Sequence, residues 1–155
     1  MAVREDSADL LQELLEEVVD ALDLEGEVEV VVEDDALTGI VHGSDLGLLI
    51  GRHGQTIDAV QHLAQRAILA DYEGRGPRVS VDAEGYRARR EEALQRQGDE
   101  AADEAVRAGR PVRLDAMNPA ERRVLHEHLR ERGDVETHSE GDEPHRRLVV
   151  EPRTD

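Results

Sequence analysis

The chain has 155 residues and a formal net charge of −18, and it contains no cysteine, lysine, phenylalanine or tryptophan. Those absences exclude disulfides, thiolate metal sites, a P-loop lysine and Schiff-base chemistry. With Tyr72 and Tyr86 as the only aromatic rings there is no platform for stacking bases, and a core for one ordinary domain or two small ones must come from Val, Leu, Ile and Ala.

The charge is unevenly spread. Residues 1–35 hold 14 acidic side chains and one arginine, whereas residues 36–115 hold 13 against 11 and residues 116–155 hold 10 against 7. The acidic excess that would repel a polyanion therefore sits mainly at one end. Arg4-Glu5-Asp6 carries the wrong charge for a signal peptide, and no apolar run approaches the roughly 18 residues of a membrane span. A cytoplasmic protein without membrane insertion is expected.

Ser7 reads as the cap of a first helix, with Leu10, Leu11, Leu14, Leu15, Val18, Val19 and Leu22 as its buried stripe and Glu13, Glu16, Glu17 and Asp20 in water. Val28, Val30 and Val32 alternate with glutamates, the pattern of a strand with one buried face; residues 37–42 make a second strand after Asp34-Asp35. A short helix from Ser44 leads into Gly51-Arg52-His53-Gly54. An amphipathic helix follows, opened by Gln55 and carrying Ile57, Val60, Leu63, Ala64, Ala67 and Ile68. Gly74-Arg75-Gly76-Pro77 breaks the chain before a strand at 78–82.

Residues 84–110 are charged and alanine-rich, and read as a connecting helix with Gly98 as its point of bending. A second small unit starts at Val112. Asn118-Pro119-Ala120-Glu121 is a helix start, with Asn as cap, Pro at the first position and Glu three residues on, placed to reach back to the cap amide. On that helix Val124, Leu125 and Leu129 point to a core, and Arg122, His126 and Arg130 form a basic ridge at four-residue spacing. Residues 135–139 and 146–150 read as strands joined by an acidic turn at 140–144.

A Gly-x-x-Gly tetrapeptide is expected about once by chance at ordinary glycine usage, and so is an Arg-x-x-x-His pair; context gives both their weight. The order helix, strand, strand, helix, Gly-x-x-Gly, helix, strand over residues 7–82 resembles a bacterial type II KH domain. The capped helix with Arg122 and His126, followed by Val-Glu-Thr-His-Ser-Glu-Gly and an Arg-Arg strand, resembles the single-stranded-nucleic-acid-binding R-three-H domain. In tandem they resemble the Jag or KhpB family of SpoIIIJ-associated proteins, over essentially residues 7–151. The separate N-terminal Jag domain of many members has no counterpart in this reading, so functions that depend on it do not carry over.

The resemblance implies an α+β architecture: a KH domain at 1–83 (α-β-β-α-α-β, a three-stranded sheet with helices on one face), a connecting helix at 84–110, and a small α/β R-three-H domain at 111–155. It also implies a non-catalytic RNA chaperone or post-transcriptional regulator linked to cell elongation and division. The ligand would be single-stranded RNA, with single-stranded DNA as the alternative, and the partner either the smaller KH protein KhpA or a second copy.

In the KH reading, Gly51 and Gly54 admit the nucleic-acid backbone without a Cβ in the way, the amides after Gln55 face phosphate, Arg52 and His53 flank it, and Ile50 walls a groove for about four bases. In the R-three-H reading Arg122 and His126 make the contacts, with Arg123 and Arg147 adding phosphate contacts. The plainer alternatives are a helix connector with a glycine cap and a solvated helix face on which Arg122 pairs with a glutamate. No cofactor is expected. His126 and His128 lie about 200° apart around a helix and cannot chelate one metal, and no nucleophile stands beside a base. The competing function class is a protein-interaction adaptor that uses the acidic N-terminal helix.

Overall fold

The computed structural model describes residues 3–154. Helix α1 (Glu5–Ala21) buries Leu11, Leu15 and Val19 completely or nearly so, with Leu10, Leu14, Val18 and Leu22 at the margin of the same core. It starts two residues before Ser7, with Arg4 at the cap. Ser7 is buried inside the first turn, and its hydroxyl shares a 2.9 Å hydrogen bond with the Tyr72 hydroxyl. A buried hydroxyl must find a partner, and the tyrosine offers one that the helix end does not. The expected serine cap is thereby corrected.

Strands β1 (Glu27–Glu33), β2 (Ala36–His42) and β3 (Arg78–Ala83) form one sheet with β2 in the middle, antiparallel to β1 and parallel to β3. Between β2 and β3 run the short helix α2 (Gly47–Ile50), a 3₁₀ turn at Arg52–Gly54 and helix α3 (Gln55–Leu69). The core of this unit joins α1, β2, α3 and β3 through Leu15, Leu37, Val41, Ile57, Ile68 and Val81.

Two apolar side chains assigned to the core from sequence lie outside it. Val32, near the end of an edge strand, is 53% exposed, and Leu63 is 64% exposed because the inward face of α3 is the narrower stripe Ile57, Val60, Ala64 and Ile68. Beside that stripe, Gln61 and Gln65 turn to the sheet. Their Oε1 atoms accept from the amides of Val81 at 2.9 Å and Val79 at 3.1 Å, and Gln65 Nε2 donates to Pro77 O. Side chains of α3 thus satisfy the outer edge of β3, which fixes the helix against the sheet and blocks strand addition there.

The chain divides into one compact unit that ends at Arg87 and a second that begins at Ala88. Helix α4 (Tyr86–Ala108) runs through the segment expected to be a connector. From Ala88 onward it belongs to the second unit, where Leu94, Ala101, Ala102 and Ala105 are buried with Leu114, Leu125, Leu129, Leu148 and Val150. Gly98 is buried in this helix and is a contact point in place of the expected bend: a Cβ there would lie 2.7 Å from Leu125 Cδ2. Small residues let α4 approach its neighbour closely, so an alanine-rich sequence with little apolar area still builds a core.

The rest of this unit is β4 (Val112–Ala116), α5 (Pro119–Arg130), β5 (Val135–Glu140) and β6 (Arg147–Pro152), with β6 between β4 and β5 and antiparallel to both. Asn118 caps α5 by accepting from the Glu121 amide at 2.9 Å, with Pro119 at the first position. The reciprocal half of the expected capping box is replaced: the nearly buried Glu121 carboxylate takes Arg90 Nε at 2.8 Å. A charge this far from water is better matched by a guanidinium than by an amide.

Candidate nucleic-acid interface

Gly51 sits at φ 71°, ψ −179°, a region closed in practice to residues with a Cβ. A Cβ there would also fall 2.2 Å from Thr56 Oγ1 and 2.9 Å from the Thr56 amide nitrogen. Gly54, at φ 80°, would put its Cβ 2.8 Å from the ring of Tyr86. The two glycines therefore have intramolecular reasons to be glycine, in addition to the ligand approach argued from sequence. Between them His53 also adopts a left-handed backbone, at φ 54°.

This geometry pushes Arg52, His53 and Gln55 into solvent and leaves Ile50 half-buried behind them. Among the described residues neither Arg52 nor His53 is engaged in an ion pair. The turn feeds directly into the 15-residue α3, whose N-terminal amides and dipole favour an anion. The one acid in the first turn of α3, Asp58, is held at 2.9 Å by Arg87, which also donates from Nε to Val81 O and from Nη2 to Gln61. Carboxylate charge beside the turn is neutralised and the Arg52 and His53 side chains are exposed, while the Gln55 amide is taken within the turn by Arg52 O.

The second set of residues is arranged differently. Arg122 is not on an open ridge: it is 8% exposed, and its guanidinium donates to Met117 O, to Arg146 O and to the Glu143 carboxylate. Arg122 is therefore almost wholly buried at the start of α5 and meets solvent only where it lines a cleft. Arg123 is exposed and pairs with Glu127 at 2.9 Å, and that hydrogen bond holds the Glu127 carboxyl below the ordinary carboxylate range. His126 is half-buried, with Nδ1 bonded to the Thr137 hydroxyl on β5, which leaves Nε2 as the ring atom available to a ligand. Pro119, Arg122, Arg123, His126, His138 and Ser139 line a cleft of about 320 Å³.

Arg147 does not join this group. Along β6 it alternates with Leu148 and Val150, whose side chains enter the core beneath α5, so it projects from the other face of the sheet. Arg132, just beyond the end of α5, is occupied by Asp103 and Asp134, each at 2.8 Å. Among the described residues no cluster of His, Asp and Glu is placed to hold a metal ion, and no helix is long and apolar enough to cross a membrane.

Sequence reasoning placed the turn and the Arg122–His126 spacing and raised a glutamate partner for Arg122 as the plainer alternative, but named none of the groups that surround them. Thr56 and Tyr86 fix the turn, Thr137 orients His126, and Glu143 occupies Arg122. Tyr86 carried a signal, as one of only two aromatic residues in the chain; the others are ordinary residues whose role depends on who they meet.

The family model for the KH domain of KhpA and KhpB matches residues 8–82, and the model for the R-three-H domain matches residues 92–152. The chain is 36% identical over 143 residues to the RNA-binding protein KhpB of Clostridium symbiosum, an alignment covering 89% of this chain and 63% of that protein. It is 34% identical over 129 residues to the RNA-binding protein KhpB of Bacillus subtilis strain 168, covering 81% and 62%. The chain belongs to the KhpB family. It spans less than two thirds of the length of these relatives. In KhpB terms, residues 51–54 are the Gly-x-x-Gly turn of a type II KH domain, and Arg122 and His126 lie in the R-three-H domain. The R-three-H match takes in α4 from Glu92, in line with the buried face this helix contributes to the second core.

Proposed function

We propose that this chain binds single-stranded RNA, chiefly through the 51–54 turn and secondarily through the cleft beside Arg122 and His126. The observation that carries the reading is the pair Arg52 and His53, exposed and, among the described residues, without an ion pair, on a glycine-flanked turn at the positive end of α3. Matching KH and R-three-H family models, and relatives named RNA-binding protein KhpB, support it. Arg52 and His53 contact phosphate, Gln55 and the first amides of α3 receive it, and Ile50 gives an aliphatic wall to the bases. His126 and Arg123 add a second, weaker contact. Two modest sites on one chain combine by effective concentration, which suits an RNA chaperone or post-transcriptional regulator in the cytoplasm, acting in cell elongation and division. The partner is KhpA or a second copy of this chain.

The test is fluorescence anisotropy with short random-sequence single-stranded RNA and DNA at two salt concentrations. Arg52→Asp/His53→Asp is expected to weaken binding by about tenfold or more and to flatten the salt dependence. Arg123→Ala/His126→Ala is expected to cost less. Wild-type protein that fails to bind at micromolar concentration would overturn the reading and turn attention to protein partners of the acidic α1 face.

A further inference from the structure

The fork of Arg122 is fixed from behind and occupied in front. One terminal nitrogen is held by two backbone carbonyls, Met117 O and Arg146 O, and the other by the Glu143 carboxylate. The Arg122 side chain is 9% exposed, whereas that of Glu143 is 49% exposed. Of the two partners the arginine is the immobile one. Glu143 sits on the loop between β5 and β6, and other bonds hold that loop: Arg146 donates to Gly141 O and Ser139 O, and the His145 amide donates to Asp142 O at 2.8 Å. The glutamate side chain can therefore rotate into water without rebuilding the backbone.

A carboxylate and a phosphodiester offer a guanidinium the same pair of anionic oxygens. We propose that Glu143 is a built-in competitor for the phosphate seat at Arg122, so that the second site is closed at rest and opens only when an RNA phosphate displaces the carboxylate. The cleft beside the fork, lined by Ser139, His126 and Arg123 among others, is the space the sugar-phosphate backbone enters. The other acids near α5 do not share this role. Glu121 is committed to Arg90, and Glu127 to Arg123. Among the described residues no carboxylate pairs with Arg52 of the 51–54 turn, so the two sites differ in kind: one is open, and one is closed until a phosphate displaces its carboxylate.

This inference rests on the RNA-binding reading of the Arg122 cleft, and the experiment separates the two. Anisotropy is measured with short single-stranded RNA on the full chain carrying Arg52→Asp/His53→Asp, so that the second site dominates. Glu143→Gln keeps the shape and removes the charge; it is expected to tighten binding about fivefold, the equivalent of losing one partly exposed competing ion pair. Asp142→Asn removes the same charge from the same loop without touching Arg122, and is expected to change affinity less than about twofold. Arg122→Ala, or Arg122→Lys should the alanine variant not fold, is expected to weaken binding and to abolish the gain from Glu143→Gln. A Glu143→Gln effect no larger than that of Asp142→Asn, or a loss, overturns the competitor while leaving the site intact. An Arg122 variant that folds and binds RNA as before overturns the site itself.

Discussion

Gly51→Ala is the substitution for which the structure gives the sharpest number. Its φ and ψ lie where only glycine is at ease, which costs an L-residue about 1–3 kcal/mol. The new methyl would also overlap Thr56, with Oγ1 at 2.2 Å, Cβ at 2.7 Å and the amide nitrogen at 2.9 Å, an overpacking worth about 1–3 kcal/mol. Together these give a loss of about 2–6 kcal/mol, a large share of the stability of any small domain. Thr56→Ala made on top removes the hydroxyl and the γ-methyl but leaves the Cβ and the amide nitrogen in place, so it should restore less than about 1 kcal/mol. Gly54→Ala should cost less than Gly51→Ala, because its backbone lies in the ordinary left-handed region and its obstacle is the edge of the Tyr86 ring. Urea denaturation followed by tyrosine fluorescence reads this directly: Tyr72 and Tyr86 both precede Ala88, so the signal belongs to the first unit. At a slope of about 1 kcal/mol per molar urea the midpoint of Gly51→Ala should fall by about 2 M or more. A Gly51→Ala midpoint within about 0.5 M of wild type, or a larger loss in Gly54→Ala, would refute the geometric argument.

Three further outcomes are expected. Leu125→Ala removes a fully buried side chain that meets Gly98 and should destabilise the second unit by about 2–5 kcal/mol; far-UV circular dichroism should report the loss with the tyrosine transition in place. Asn118→Ala should cost about 1 kcal/mol, and Asn118→Asp should retain most of the stability, since either carboxylate oxygen can accept from the Glu121 amide. His42 is held above its ordinary value of 6.5 by its hydrogen bond to Glu29, against a smaller desolvation penalty and with added attraction from Glu84. A raised folded-state value means that its stabilisation is complete below 6.5 and is lost as pH rises through the higher value. The difference in urea midpoint between wild type and His42→Gln should therefore shrink as pH rises above 6.5, and a pH-independent difference would rule the linkage out.

Much of the fold was legible because periodicity reports burial. The stripe of α1 from Leu11 to Val19, the alternation of β1 and the Asn-Pro start of α5 are local patterns, and each matched its element in kind. The errors share a cause. Ser7, Glu121 and Gly98 were given local roles as cap, capping-box acid and bend, whereas each is taken by a residue distant in sequence: Tyr72, Arg90 and Leu125. Val32 and Leu63 fit their periodic stripes and are exposed, because the width of the buried face is set by what packs on it.

At the candidate sites the same division holds. The residues that form the turn and the Arg122–His126 pair are fixed by sequence order, since a Gly-x-x-Gly between two helices and an Arg-x-x-x-His on a capped helix are short-range arrangements. Whether a cation is open or occupied is not a short-range property. Arg52 is exposed and without an ion pair among the described residues, Arg123 is paired within its own helix, Arg122 is closed by Glu143 from another loop, and Arg147 is turned to the opposite face by strand alternation. Sequence by itself determined which elements form and which side chains are candidates, because helical and strand periods act over a few residues. Only the tertiary structure decided which charges remain available to a ligand, because neutralisation depends on distances of a few ångströms between groups that the chain alone keeps far apart.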